Sequence, residues 1–209
     1  MFELCVITDR TSSGGRSESE IANLAYYGGA DIVQLRMKGS DGREMLEQAK
    51  RIKNLAERYS KFFIVNDRVD IAMLSDADGV HLGQSDIPVD DARALLGDDK
   101  IIGVSVHNAK EAVEAELSGA DYVSVGSVFN TYTKQDAQNG RGLDAVFAVR
   151  MAVGLPVMAI GGINRGNIQD VILAGADGVA VVSAVVSKQD VSAAARELRD
   201  MILKVRPNI

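Results

Sequence analysis

The sequence predicts an α/β protein whose residues 1–209 form a single-domain (β/α)₈ barrel of the TIM type. Three observations carry that prediction. Short apolar runs alternate with amphipathic segments along the chain, eight of each, and this alternation is the pattern of parallel strands joined by helical crossovers. A short motif also recurs: Gly29-Ala30-Asp31-Ile32-Val33, Asp76-Ala77-Asp78-Gly79-Val80, Gly119-Ala120-Asp121-Tyr122-Val123 and Gly175-Ala176-Asp177-Gly178-Val179 lead into every second strand, 43 to 56 residues apart. Each copy reads as a helix end, a Gly or Asp at the turn, and a strand start at the bottom of a barrel. Regular spacing over two β/α units is hard to obtain from an open doubly wound sheet. Finally, residues 62–86, FFIVNDRVDIAMLSDADGVHLGQSD, read as strand, short helix and parallel strand, with both strand ends on one edge of the sheet.

In chain order, Leu4 to Thr8 is an apolar strand followed by Asp9-Arg10 and a Ser12-Ser13-Gly14-Gly15 loop. Ser17 caps a helix with acids in its first turn and an Ile21, Leu24, Ala25 stripe, ended by Gly28-Gly29. Ile32 to Leu35 is the second strand, and Asp41 to Tyr59 an amphipathic helix with Met45, Leu46, Ala49, Ile52, Leu55 and Ala56 on one face. The Phe62–Asp86 unit comes third. Ala92 to Leu96 is then a short helix, Ile101 to Ser105 a strand, Ala109 to Leu117 a helix and Tyr122 to Val125 a strand. A polar loop runs from Asn130 to Gly142. With almost nothing to bury, it is expected to act as a lid over bound substrate. Leu143 to Met151, Val157 to Ile160, Ile168 to Leu173, Gly178 to Val182 and Val191 to Val205 complete the alternation as helix, strand, helix, strand and helix.

Composition narrows the function classes. A chain that is 46% hydrophobic, 25% charged and has three prolines can bury one full core without a linker. The net charge of −6 argues against a nucleic-acid or anionic-membrane surface. Cys5 is the single cysteine and lies in the first apolar run, so it reads as a core residue, not a nucleophile. The N-terminus has no basic, apolar leader, and no run approaches the roughly 18 apolar residues of a membrane span. These features lead to the expectation of a cytoplasmic protein.

Barrel chemistry sits at the strand C-termini. There the sequence places Asp9 and Arg10, then Gln34, Arg36 and Lys38, then Asn66 and Asp67, Asp86, Ser105 and His107, Phe129 to Lys134, Gly161-Gly162, and Val182-Ser183. Asp67 and Asp86 fall beyond two neighbouring strands and could hold one hard cation through oxygen, leaving positions for water or phosphate. The plainer alternative is that Asp67 caps the short helix and Asp86 opens a turn before Pro88. The cations Arg36, Lys38 and Lys134 beside two aspartates suit a phosphorylated, metal-chelated substrate. Gly161-Gly162 and Val182-Ser183 match the place where barrels hold phosphate on backbone N–H groups, and Thr131, Thr133 and Lys134 offer a second grip. His81 reads as a hydrogen-bonded barrel residue, and His107 as well as a helix cap as a base.

These residues carry a resemblance. VITDR (6–10), VQLRMK (33–38), NDRVDIAMLSDADGVHLGQSD (66–86), IIGVSVH (101–107), GADYVSVGSVFNTYTK (119–134), AIGGI (159–163) and GADGVAVVSAV (175–185) together resemble the thiamine-phosphate synthase (thiamine-phosphate pyrophosphorylase) family over nearly the whole chain. The family's usual proline-containing loop is here Gly126-Ser127-Val128-Phe129-Asn130-Thr131, which keeps the threonines and lysine. The resemblance implies a transferase that joins 4-amino-5-hydroxymethyl-2-methylpyrimidine diphosphate to a phosphorylated hydroxyethyl thiazole, with or without a ring carboxylate, releasing diphosphate. It implies Mg²⁺ on Asp67 and Asp86. It also implies a pyrimidine diphosphate site from Gln34, Arg36, Lys38, Asn66, Ser105 and Lys134, and a thiazole phosphate site from Thr131, Thr133, Gly162, Val182 and Ser183, with Leu35, Met37 and Tyr132 also among the substrate-binding residues. Arg36, Lys38, Ser105 and Lys134 take the catalytic roles in that picture, in a dissociative reaction that calls for charge neutralisation and no strong base. The expected partners are the two small substrates, with neither nucleic acid nor membrane. The alternatives are a thiazole phosphate isomerase on the same barrel and a non-catalytic binder of thiazole or thiamine phosphate, neither of which needs the metal pair.

Overall fold

The computed structural model describes residues 2–131 and 140–206. Its strands are β1 (Leu4–Ile7), β2 (Ile32–Leu35), β3 (Phe62–Asn66), β4 (Gly79–Leu82), β5 (Ile101–Val106), β6 (Tyr122–Gly126), β7 (Val157–Ile160) and β8 (Gly178–Val181). Each pairs in parallel with the next, and β8 returns to β1, so the sheet is a closed barrel. The helices are α1 (Glu18–Tyr27), α2 (Gly42–Tyr59), α3 (Val69–Leu74), α4 (Val89–Leu96), α5 (Ala109–Leu117), α6 (Leu143–Ala152), α7 (Ile168–Leu173), α8 (Ser183–Val186) and α9 (Val191–Val205). None is long and apolar enough to cross a membrane, among the described residues.

The predicted alternation holds, with two differences. The chain contains an unpredicted ninth helix, the short α8 directly after β8; four residues are too few for a helical stripe to show. Helix α4 starts at Val89, three residues before the expected Ala92, because Ala92 is its only buried residue and the apolar signal begins there, while Asp90 and Asp91 form the first turn. Side-chain caps mark several of the other starts. Ser17 makes a full capping box with Glu20, Asp41 accepts from Glu44 N–H at 2.9 Å, and Asn108 accepts from Glu111 N–H at 3.0 Å.

The side-chain period of two divides the strands into two cores. Leu4, Val6, Val33, Leu35, Phe63, Val65 and their equivalents pack outward against the helices. Cys5, Ile7, Ile32, Ile64, Tyr122, Met158 and Ala180 fill the lumen. Burial raises the Cys5 thiol to a pKa of about 12, so it is a core residue as expected.

The repeated motif has a physical meaning at each copy. Gly29, Asp76, Gly119 and Gly175 all take a positive φ, at 97°, 53°, 92° and 106°. The next residue then returns its N–H to the helix, as Ala30 does to Ala25 C=O and Ala120 to Ala115 C=O, both at 3.0 Å, the bond of a Schellman end. The motif's aspartate closes the strand start. Asp121 Oδ2 accepts from Ile102 N–H at 2.7 Å and from Arg93 at 2.6 Å, and Asp177 Oδ2 accepts from Val157 N–H and Arg150, both at 2.8 Å. Asp31 with Lys61 and Asp78 with Lys53 do the same for β1 and β3. The bottom of the barrel is thus clamped four times, which leaves the opposite end to loops.

Candidate active site

Those loops surround a cavity of about 1140 Å³ at the C-terminal ends of the strands. Inward alternation delivers Gln34 on β2, Asn66 on β3, Ser105 on β5 and Ser124 on β6 to its walls. Arg36, Lys38, Asp67, Asp86, Thr131, Gly162, Val182 and Ser183 reach it from the loops and short turns beyond.

The aspartate pair is built by the β3–β4 neighbours. Asp67 follows β3 directly, its N–H donates to His81 C=O on β4 at 2.8 Å, and it takes a left-handed φ of 65°. A non-glycine residue seldom adopts that conformation outside turns and functional sites. It does not cap α3: the capping position is Arg68 and no side chain makes the cap bond. Asp86 accepts the Gly83 N–H at 2.7 Å, closing the turn after β4. Burial raises the Asp86 pKa, the Gly83 amide opposes that shift, and the nearby Asp67 raises it further. The Lys38 ammonium pairs with Asp67. No cluster of three or more His, Cys, Asp or Glu placed to hold a metal occurs among the described residues.

Arg36 is positioned from β1. Its guanidinium lies 3.2 Å from Asp9. Burial would raise the Asp9 pKa, but hydrogen bonds from Thr11 and Ser12 and the Arg36 charge hold it below its ordinary value. Arg10 is not part of the site; it turns outward to Glu18 at 3.1 Å and Glu44 at 2.7 Å. At the far side, Gly161 and Gly162 take φ of 101° and 66°. Val185 and Val186 N–H both return to Val182 C=O, so the amides at the start of α8 line the cavity without intrahelical partners.

Leu35 and Met37 are buried in the outer core and are not part of the cavity lining; Leu35 alternates with Gln34 on β2, so its side chain faces the helices. Tyr132, Thr133 and Lys134, and with them most of the expected lid, lie outside the described residues. His107 is not a cap, since Asn108 holds that place; its Nδ1 instead sits 2.9 Å from Glu111. The sequence reading missed Gln84, Arg141, Asn164 and Lys188, which also line the cavity. Gln84 sits inside the GQSD stretch and Arg141 ends the polar loop, so both were within reach of a reading by position. Asn164 follows the Gly161-Gly162 turn after β7 and was also within reach by position, whereas Lys188 depended on the unpredicted α8.

With this geometry in view, comparison with known proteins is decisive. The family model described as thiamine monophosphate synthase matches residues 4–185. The chain belongs to the thiamine monophosphate synthase family. A thiamine-phosphate synthase of Chloroflexus aurantiacus is 51% identical over 201 residues, covering 96% of this chain and 93% of that one. One from Methanoculleus marisnigri is 50% identical, with 96% and 95% covered. The solved thiamine phosphate pyrophosphorylase of Pyrococcus furiosus superposes with a TM-score of 0.90 at 42% identity, covering 98% of this chain and 96% of that one. As a member of this family the chain is a transferase.

Proposed function

We propose that the cavity transfers the pyrimidinylmethyl group of 4-amino-5-hydroxymethyl-2-methylpyrimidine diphosphate to the nitrogen of 4-methyl-5-(2-phosphoethyl)thiazole, or its carboxylated form, giving thiamine phosphate and diphosphate. The observation that carries this reading is the convergence of Asp67, Asp86, Arg36 and Lys38 on one wall of a cavity in a chain of this family. The bond between the methylene carbon and the diphosphate oxygen breaks with its electron pair leaving on the diphosphate. The thiazole nitrogen then supplies the pair for the new C–N bond, so no proton has to be removed at the reacting atoms. Arg36, held by Asp9, and Lys38 face the leaving diphosphate, as does Lys134 by its place in the family motif. Ser105, Asn66 and Gln34 orient the pyrimidine half. Thr131, Tyr132, Thr133, Gly162, Val182 and Ser183 hold the thiazole phosphate and align its nitrogen.

The donor chemistry of Asp67 and Asp86 fits Mg²⁺. Both offer hard oxygen atoms, burial and then the neighbouring Asp67 raise the Asp86 pKa, and two protein ligands leave room for water and diphosphate oxygens. Bound there, Mg²⁺ would neutralise charge gathering on the leaving group. Lys38 then trades its ion pair with Asp67 for the diphosphate. We place this activity in the cytoplasm, on small-molecule substrates alone. The test is an assay of both substrates with and without Mg²⁺. Thiamine phosphate and diphosphate in equal amounts, formed only with the metal, support the reading; isomerised thiazole phosphate, or binding without turnover, refutes it.

A further inference from the structure

The floor of the cavity holds a hydrogen-bonded chain, two of whose members the transfer reaction as described does not use. His81 on β4 pairs in register with Gly103 on β5, and Gly103 with Tyr122 on β6. The three residues form one inward row with a glycine in its centre. A Cβ on Gly103 would overlap the Tyr122 ring, so the glycine is what lets Tyr122 lean across β5 towards His81. The two rings lie 5.5 Å apart at 32°, and Tyr122 Oη is 2.9 Å from His81 Nδ1. On its other edge His81 Nε2 is 2.9 Å from Ser105 Oγ, two residues beyond Gly103 and one layer nearer the cavity mouth.

The direction of the protons follows from the buried end. Tyr122 is 4% exposed, and burial raises its pKa well above the ordinary value, so its hydroxyl keeps its hydrogen. Among the described residues that hydroxyl has His81 Nδ1 as its one hydrogen-bond partner. The phenol therefore donates, Nδ1 accepts, and the imidazole carries its hydrogen on Nε2. Nε2–H in turn donates to Ser105 Oγ. That leaves the Ser105 hydrogen free to point into the cavity.

We infer that His81 and Tyr122 are positioning residues, which fix the Nε2–H tautomer and so commit the Ser105 hydroxyl to donate to the substrate. The inference rests on the reading of Ser105 as a contact of the pyrimidine diphosphate. It assigns that contact a polarity: the ligand atom met by Ser105 is an acceptor, a diphosphate oxygen or an unprotonated ring nitrogen. A group that can only donate is disfavoured there, because it would leave the Ser105 hydrogen without an acceptor.

The tautomer is read directly from ¹⁵N-histidine-labelled enzyme by long-range ¹⁵N–¹H correlation, with His107→Gln to assign the two rings. Nε2–H on His81 is expected; Nδ1–H overturns the inference whatever the activity. In steady-state kinetics Tyr122→Phe should raise KM for the pyrimidine diphosphate roughly three- to tenfold, the range of one neutral hydrogen bond, and leave KM for the thiazole phosphate unchanged. In a Ser105→Ala background the same substitution should add nothing, since its effect passes through that hydroxyl. An equal loss in both backgrounds would mean that Tyr122 acts by packing, and the inference falls. His81→Gln, which keeps a donor, should outperform His81→Leu, which has none; equal activity of the two also overturns it. If the wild type forms no thiamine phosphate at all, the functional reading fails while the tautomer result still decides this one.

Discussion

Asp86 illustrates how a single side chain is set against its own fold. Its carboxylate is destabilised first by burial and then by Asp67, with the Gly83 amide opposing. A carboxyl whose folded pKa is raised costs stability above its unfolded pKa, and that cost disappears as pH falls through the folded value. Asp86→Asn keeps an oxygen for the Gly83 amide and removes the charge. In EDTA at neutral pH this variant is expected to melt above the wild type. Mg²⁺ is expected to raise the melting temperature of the wild type and not of the variant. A variant less stable than the wild type in EDTA would contradict the repulsion. In activity the order reverses: Asp67→Ala and Asp86→Ala are each expected to lower kcat by roughly 10²–10³ at saturating Mg²⁺, the size of a lost metal contact to a developing charge. Near wild-type turnover across a Mg²⁺ titration would remove the metal assignment.

At the scale of elements, α8 and the helix ends carry separable tests. Ser183 opens α8 at the cavity, exposed and apart from the barrel core. Ser183→Ala is expected to raise KM for the thiazole phosphate about three- to tenfold while KM for the pyrimidine diphosphate stays put; equal changes in both would refute the division of the two phosphates. Gly162→Val is no substitute, because a Cβ there would come within 2.7 Å of Asn130 O and Phe129 Cβ and would disturb the neighbouring loop as well as the anchor. At the bottom, Gly119 has φ of 92° and nothing within 4 Å of a built Cβ. Gly119→Ala therefore adds conformational strain without a clash. It should destabilise by about 1–2 kcal/mol, lowering the melting temperature by roughly 2–8 °C with KM values unchanged.

Over the whole molecule, stability and chemistry are assigned to opposite ends of the barrel. The four aspartates of the repeat clamp the strand starts, and none of them lines the cavity. Asp121→Ala would leave the Ile102 N–H and Arg93 without their shared acceptor. A loss of about 2–3 kcal/mol is expected, read by urea denaturation, with kcat at the wild-type value. A fall in kcat at full folding would show that the two ends are coupled.

The alternation of apolar runs, the Gly/Asp-Ala-Asp repeat and the Ser17 cap were legible in the amino-acid sequence, because each is a local rule about which backbone a residue tolerates. So was the placing of Gln34, Asn66, Asp67, Asp86 and Ser105 around one mouth, since parallel connection puts every strand C-terminus on the same side. Asp67 and His107, also open to reading as caps, are not caps. Four residues after β8 show no period, so α8 escaped, and with it Lys188. Leu35 and Met37 resembled their polar neighbours in sequence position, yet a strand turns successive side chains to opposite faces, and only closure of the barrel showed which face was the cavity. Arg10 and Arg36 each follow a strand end, and packing against Glu18 and Asp9 sent one outward and one inward. The row of His81, Gly103 and Tyr122 spans three strands that are remote in sequence. Register across a closed sheet is a tertiary property, and no local pattern encodes the distance at which those side chains meet.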